Sequence, residues 1–107
     1  MRSNKKVWIV DDDKSIRWVL EKALKSADVD ITSFSHPDDV LERINKEEPD
    51  VIITDIRMPG MDGISLLDRI KQHSPNIPVI IMTAYSDLDR AVSAFQGGAY
   101  EYLSKPF

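Results

Sequence analysis

The sequence lacks cysteine and has no long apolar run. Without cysteine, a disulfide framework and a thiolate metal site are both excluded. The first six residues, MRSNKK, are basic, but the apolar run VWIV that follows at 7–10 is far too short for a signal-peptide core or a membrane span. We therefore expect a cytoplasmic protein that does not enter a membrane.

An excess of basic residues is also missing. Lysine and arginine number 14 against 18 acidic residues, so the net charge is −4 and the pI is near 5.0. Proteins that bind nucleic acid directly concentrate positive charge on one face, so we expect no direct nucleic-acid contact by this chain. Its 107 residues, 42% of them hydrophobic, are enough for one domain with a core of its own.

Short apolar runs alternate with segments of helical periodicity. The runs are KVWIV (6–10), DITSF (30–34), VIIT (51–54), PVIIMT (78–83) and YEYL (100–103). The helical stripes are Ile16, Val19, Leu20, Ala23 and Leu24; Val40, Leu41 and Ile44 after Pro37; Ile64, Leu67 and Ile70; and Leu88, Ala91, Val92 and Phe95 after a cap at Ser86. This order predicts a mostly parallel sheet covered on both faces. Because the sequence stops at Phe107, we expect no fifth helix after the last strand.

Outside these stripes, four residues receive simpler interpretations. Trp8 and Trp18 are predicted to pack in the core or between helices. His36 and His73 lie next to prolines or turn sequences, which indicates surface positions and not phosphodonors.

Polar residues follow four of the predicted strands. Asp11, Asp12 and Asp13 end the first strand, and Asp55 ends the third. Thr83 ends the fourth strand and Lys105 follows the fifth. Any one of these aspartates alone is more often a turn former or a helix cap. Together they predict one site, because ligands bind outside the carboxyl ends of strands in open parallel sheets.

The residue types at this edge predict phosphoryl chemistry. Crowded carboxylates repel one another unless a cation intervenes, and a site with few oxygen ligands suits Mg²⁺ and a phosphate. A carboxylate also acts as a nucleophile toward phosphorus. Asp55 is the natural nucleophile, while the aspartates after the first strand hold the metal. Lys105 and the Thr83 hydroxyl would contact phosphoryl oxygens.

Four stretches of the sequence resemble the receiver domain of two-component response regulators. They are VDDD (10–13), DIRMPGMDG (55–63), MTAYSD (82–87) and KPF (105–107), and longer strings around them resemble the nitrogen-regulation, NtrC-type branch. The resemblance implies a flavodoxin-like α/β fold, with a doubly wound five-stranded parallel sheet in the order 2-1-3-4-5. It also implies one receiver domain over residues 1–107 that ends after the fifth strand and the Lys-Pro-Phe motif, without the usual last helix.

The resemblance also implies roles for individual residues. A histidine kinase phosphorylates the aspartate that matches Asp55. Asp12 ligates Mg²⁺ directly, Asp11 assists through water, and the backbone carbonyl of Arg57 completes the protein ligands. Asp13 is then a neighbour of the pair or a helix cap.

The same resemblance matches three further residues to the switch and the phosphate contact. Thr83 and Tyr102 match the switch pair, in which the hydroxyl moves to the phosphoryl group and the ring turns inward. Lys105 matches the lysine that contacts the phosphate.

The resemblance implies partners, and two other functions stay open. A sensor histidine kinase would be the phosphodonor. The output in this branch is a σ54-activating ATPase followed by a DNA-binding domain, neither of which is in this chain; a homodimer is possible. One alternative is an interaction module that never takes phosphate. The other is an Mg²⁺-dependent phosphohydrolase, which commonly has an aspartate two residues after the nucleophile. Arg57 occupies that position, so we expect a switch domain and not an enzyme.

Overall fold

Strands and helices alternate along the chain. The computed structural model describes residues 5–58, 60–84, 98–99 and 101–105. The elements are β1 (Lys5–Val10), α1 (Lys14–Leu24), a 3-10 turn (Lys25–Ala27), β2 (Val29–Phe34), α2 (Pro37–Arg43), β3 (Val51–Asp55), α3 (Gly63–His73), β4 (Val79–Ala84) and β5 (Glu101–Lys105). The helix predicted around Leu88–Phe95, with its cap at Ser86, lies outside the described residues.

The strands form one parallel sheet in the order β2-β1-β3-β4-β5. Val10 at the end of β1 pairs with Phe34 of β2 and with Thr54 of β3. On the other side of β3, Asp55 pairs with Met82 of β4. The predicted flavodoxin-like α/β class, with its first four strands ordered 2-1-3-4, is confirmed.

Each face of the sheet buries a separate apolar cluster. On one face, alternate sheet residues such as Trp8, Val10 and Ile52 pack with α2 and α3, and the Trp8 and Phe34 rings lie 5.2 Å apart. On the other face, Ile9 and Met82 belong to the cluster that α1 covers. The central strands are therefore apolar on both sides, which agrees with their nearly continuous apolar sequence.

The described helices begin at recognisable signals. Asp13 caps α1, and its carboxylate accepts a hydrogen bond from the Ser15 amide at 2.8 Å. Asp62 caps α3 in the same way through the Ser65 amide. Pro37 occupies the first turn of α2, as predicted. No helix in the described part of the chain has the length and apolar character needed to cross a membrane.

Three details of the sequence prediction were wrong. Trp18 is 58% exposed and is not a core residue, and Ala23 of the predicted apolar stripe is exposed as well. The buried side of α1 is centred on Leu20, so both residues fall outside the narrow stripe that meets the sheet. The last strand was placed at 100–103 but runs over Glu101–Lys105.

Candidate functional site

The strand register brings two aspartates side by side. Val10 pairs with Thr54, so the next residues, Asp11 directly after β1 and Asp55 at the end of β3, are neighbours. Carboxylate oxygens of Asp11, Asp12 and Asp55 all lie within 4.8 Å of one another. Asp11 and Asp55 are buried, whereas Asp12 is exposed. The structure therefore brings together three of the predicted site residues, with Asp12 open to solvent.

Local hydrogen bonds hold the loop between β1 and α1. The Asp11 carboxylate accepts from the Asp13 amide at 2.8 Å. The Asp11 amide continues the sheet by donating to the Phe34 carbonyl at 3.1 Å. Arg17, one turn into α1, donates from its guanidinium to the Asp11 carbonyl at 2.5 Å. Asp13 is therefore the cap of α1, which is one of its two predicted roles. Asp11 and Asp12 are the two aspartates of this loop that belong to the carboxylate cluster.

Main-chain hydrogen bonds hold the chain around Asp55 at the end of β3. The Ile56 amide donates to the Met82 carbonyl at 3.1 Å, so pairing with β4 continues past Asp55. The Thr54 hydroxyl donates to the Asp55 carbonyl at 3.2 Å. The Gly63 amide, at the start of α3, donates to the Ile56 carbonyl at 2.6 Å. The chain that leaves Asp55 is therefore bonded both to β4 and to the start of α3.

The remaining predicted site residues lie on the neighbouring strands and loop. Thr83 is fully buried near the end of β4. The main chain of Lys105 pairs with Ala84, and that of Tyr102 pairs with Ile81. The side chains of Lys105 and Tyr102 lie outside what the structure describes. Arg57, two residues after Asp55, is exposed.

The three carboxylates fit a divalent cation. Oxygens of the three carboxylates lie within 4.8 Å of one another, close enough for one cation to be held between them directly or through water. At this separation each pair of charges repels by about 1 kcal/mol in water and by about 4 kcal/mol at a partly buried surface site. A divalent cation would offset that repulsion, and oxygen ligands are the type that Mg²⁺ prefers.

Two residues with a structural part in this site were missed from the sequence. Arg17 received no role from the sequence pattern, and Gly63 entered only as the last residue of the DIRMPGMDG stretch (55–63). Both act through main-chain carbonyls near the site, at Asp11 and at Asp55–Ile56. The available signal was weak: an arginine one turn after the aspartates, and a glycine where a helix begins.

Comparison with known proteins agrees with this arrangement. Residues 7–107 match the family described as the response regulator receiver domain. The chain belongs to that family. This receiver domain is 61% identical over 101 residues to the DNA-binding transcriptional regulator NtrC of Escherichia coli K12. The aligned region covers 94% of this chain and 22% of NtrC. The predicted resemblance to the NtrC-type branch is confirmed. The receiver domain thus spans about a fifth of the curated relative.

Solved receiver structures share the fold. The apo receiver domain of nitrogen regulatory protein C is 59% identical, with a TM-score of 0.86 over 96% of this chain and 83% of that one. A receiver domain from Clostridium thermocellum is 33% identical, with a TM-score of 0.90 over 96% of this chain and 83% of that one. The receiver fold, with its phosphoacceptor role in two-component signalling, therefore applies to this chain.

Proposed function

We propose that Asp55 is the residue of this receiver domain that accepts the phosphoryl group. The observation that carries the proposal is the cluster of Asp11, Asp12 and Asp55 at the carboxyl end of a parallel sheet. Asp55 ends the central strand of five, where pairing with Met82 of β4 and the bond from the Ile56 amide to the Met82 carbonyl hold its main chain. A rigid nucleophile beside two further carboxylates suits in-line attack on a phosphoryl group that a cation accompanies.

The transfer step is a displacement at phosphorus. A carboxylate oxygen of Asp55 forms a bond to phosphorus, and the bond from phosphorus to the donor atom breaks. The donor atom, a histidine nitrogen of a kinase or the acetate oxygen of acetyl phosphate, leaves with the bonding electron pair. The product is an acyl phosphate on Asp55.

Asp11, Asp12, Asp55 and the backbone carbonyl of Arg57 would hold Mg²⁺. When bound, the ion would neutralise charge on the phosphoryl oxygens and on the carboxylates. Asp12 is the exposed member of the cluster, which suits it to direct ligation, while buried Asp11 also holds the Asp13 amide. Thr83 and Lys105 would contact the phosphoryl oxygens, and Tyr102 with Thr83 would form the switch.

The partners proposed for this domain come from its relatives. A sensor histidine kinase would donate the phosphoryl group, and residues 1–107 would act as one receiver unit with the fifth strand at the sheet edge. In the whole protein, in the cytoplasm, the receiver would control a σ54-activating ATPase and a DNA-binding domain, and it could form a homodimer. Support comes from the 61% identity to NtrC, a DNA-binding transcriptional regulator.

A phosphohydrolase is the weaker alternative. That class commonly uses a second acid two residues after its nucleophile, and this chain has exposed Arg57 there. We therefore propose a stoichiometric switch, in which each protein molecule carries one phosphoryl group and does not turn substrate over.

Intact-mass measurement after incubation with acetyl phosphate and Mg²⁺ tests the acceptor. We expect one phosphoryl adduct on the wild type, and none on Asp55→Asn or without Mg²⁺. Asp13→Asn is the matched control: it removes a nearby charge, and asparagine caps a helix as well as aspartate does. That variant should keep the adduct.

Three results would contradict the proposal. An adduct on Asp55→Asn would place the acceptor elsewhere, and no adduct on folded wild-type protein would favour the phosphate-independent interaction module. Steady release of inorganic phosphate over many turnovers would favour the phosphohydrolase.

A further inference from the structure

Gly63 lies where α3 meets the end of β3. It is the first residue of α3 and is buried. Its amide donates to the Ile56 carbonyl at 2.6 Å. The start of the helix is therefore bound directly to the main chain that leaves Asp55.

A side chain at Gly63 would collide with the main chain of Asp55. A Cβ atom there would overlap the Asp55 carbonyl oxygen and lie 2.9 Å from both the Asp55 carbonyl carbon and the Ile56 Cα. Real Cβ atoms essentially never approach other heavy atoms within 3.0 Å. All three atoms are main chain, so no side-chain rotation relieves the collision.

Neither partner in this contact is free to retreat. Asp55 pairs with Met82, and the Ile56 amide donates to the Met82 carbonyl at 3.1 Å. On the helix side, the core holds α3 through Leu66, Leu67 and Ile70, all at most 1% exposed. The Asp55 carbonyl also accepts from the buried Thr54 hydroxyl, which a Cβ would disturb. A methyl group at Gly63 must therefore move the end of β3.

Gly60, three residues earlier, is a glycine for a different reason. Its φ of +86° lies in the left-handed region, but a Cβ there would meet no atom within 4 Å. Gly63 has no positive φ, so it needs space and not an unusual backbone conformation. The two positions give a matched pair: alanine strains the backbone at one and displaces Asp55 at the other.

We propose that Gly63 is a positioning residue for the phosphoacceptor. Its missing side chain lets α3 close onto the Asp55–Ile56 peptide and hold the Asp55 carboxylate beside those of Asp11 and Asp12. The inference rests on the proposed role of Asp55. A shift of about 1 Å in a reacting group slows a reaction by about 100-fold, so the position of this peptide matters directly for the rate.

The test compares Gly63→Ala with Gly60→Ala. Both variants and the wild type are incubated with acetyl phosphate and Mg²⁺, and the rate of adduct formation is followed by intact mass at a temperature where circular dichroism shows all three folded. We expect Gly63→Ala to react about 10- to 100-fold more slowly. Gly60→Ala should lose thermal stability yet stay within about threefold of the wild-type rate.

Backbone amide NMR gives a readout that lost stability alone would not move. In Gly63→Ala the amide resonances of Asp55 and Ile56 should shift, while that of Asp13, held by the Asp11 carboxylate in the other loop, should not. Equal rates for the two variants, or unshifted Asp55 and Ile56 resonances, would overturn the inference. Failure of the wild type to form an adduct would instead refute the proposed function.

A measurement on the wild type covers the case in which Gly63→Ala does not fold. Because the Gly63 amide is bonded to the Ile56 carbonyl, its proton resonance should move when Asp55 is phosphorylated. That of Asp50, whose amide donates to the Lys6 carbonyl at the opposite end of the sheet, should move less. A Gly63 resonance that does not change on phosphorylation would overturn the inference.

Discussion

At the carboxyl end of the sheet, oxygens of three carboxylates lie within 4.8 Å of one another. At the amino end, by contrast, the Glu47 carboxylate forms ion pairs with the Lys6 ammonium at 3.0 Å and with the Arg43 guanidinium at 3.1 Å. Like charges crowd at one end and opposite charges pair at the other. Crowded like charges destabilise a fold unless a ligand neutralises them, so they indicate a binding site. Paired charges and satisfied hydrogen bonds stabilise the folded structure and do not indicate a binding site.

The amino end is also closed by hydrogen bonds between distant residues. The Lys6 amide donates to the Asp50 carboxylate at 2.7 Å, and the Asp50 amide donates to the Lys6 carbonyl at 2.8 Å. Buried Ser74 donates to Glu48 at 2.6 Å, and its hydroxyl lies 2.7 Å from Nδ1 of exposed His73. His73 and the exposed His36 are thus surface residues, as predicted. We expect substitutions at this end to change stability and not phosphorylation.

The largest effect is expected for substitution of Asp55, in the carboxylate cluster. Asp55→Asn should abolish the phosphoryl adduct, and in Mg²⁺-free buffer it should leave the free energy of unfolding unchanged or higher, because it removes one of three like charges. Urea denaturation at low salt measures the second effect. A loss of more than about 2 kcal/mol would mean that Asp55 is needed for the fold, contrary to the difference between the two ends.

The next effect concerns Asp12, the exposed carboxylate of the cluster. Asp12→Asn should weaken Mg²⁺ binding by about 10- to 100-fold, because it removes a charged ligand. Isothermal titration calorimetry measures the affinity. Asp13→Asn is the control and should bind Mg²⁺ within about threefold of the wild type. Equal losses in both variants would show that only the net charge of the loop matters.

A smaller effect is expected at Arg17. Arg17→Met removes the hydrogen bond to the Asp11 carbonyl and should lower Mg²⁺ affinity by about tenfold, because the acidic loop loses an anchor. Arg69→Met, at an exposed position of α3, removes the same charge elsewhere and should change little. Tighter Mg²⁺ binding by Arg17→Met would mean that the guanidinium charge outweighs the anchoring bond.

Ser74 tests the amino end. Ser74→Ala should lower the free energy of unfolding by about 1 kcal/mol, because it removes the bond to Glu48 while the exposed partners regain water. The rate of phosphorylation by acetyl phosphate should not change. Ser65→Ala, at an exposed serine within α3, the helix that Ser74 follows, should leave stability within about 0.5 kcal/mol. Slower phosphorylation of Ser74→Ala would show that the two ends are coupled.

The smallest effect is a pH dependence at Glu47. Hydrogen bonds from Lys6 and Arg43, in that order, hold the pKa of Glu47 below its ordinary value of 4.5. Its contribution to stability is therefore fully present above pH 4.5 and is lost as the pH falls through the lowered pKa.

Urea denaturation of the wild type and Glu47→Gln between pH 7 and pH 3 measures this contribution. The stability difference between them should shrink below pH 4.5 and at high salt, since the pair is exposed. Glu42→Gln, at an exposed glutamate of α2, is the control. A difference that stays constant with pH would contradict the assignment.

The sequence alone determined the alternation of strands and helices, because apolar periodicity follows from which face of each element is buried. It also determined the site candidates, since aspartates directly after buried apolar runs meet at one edge of a parallel sheet. Asp11, Asp12 and Asp55 came together as the register of β1 and β3 requires.

Tertiary structure alone decided the features that depend on distances between segments far apart in the chain. Trp18 was predicted to pack in the core or between helices, yet the sheet covers only the side of α1 around Leu20. Ser74 is satisfied by Glu48, 26 residues earlier. Gly63 is confined by the carbonyl of Asp55, a contact that no periodicity encodes because it depends on how closely two backbones approach. Local pattern selects the elements, whereas close packing selects the single residue that fits where they meet.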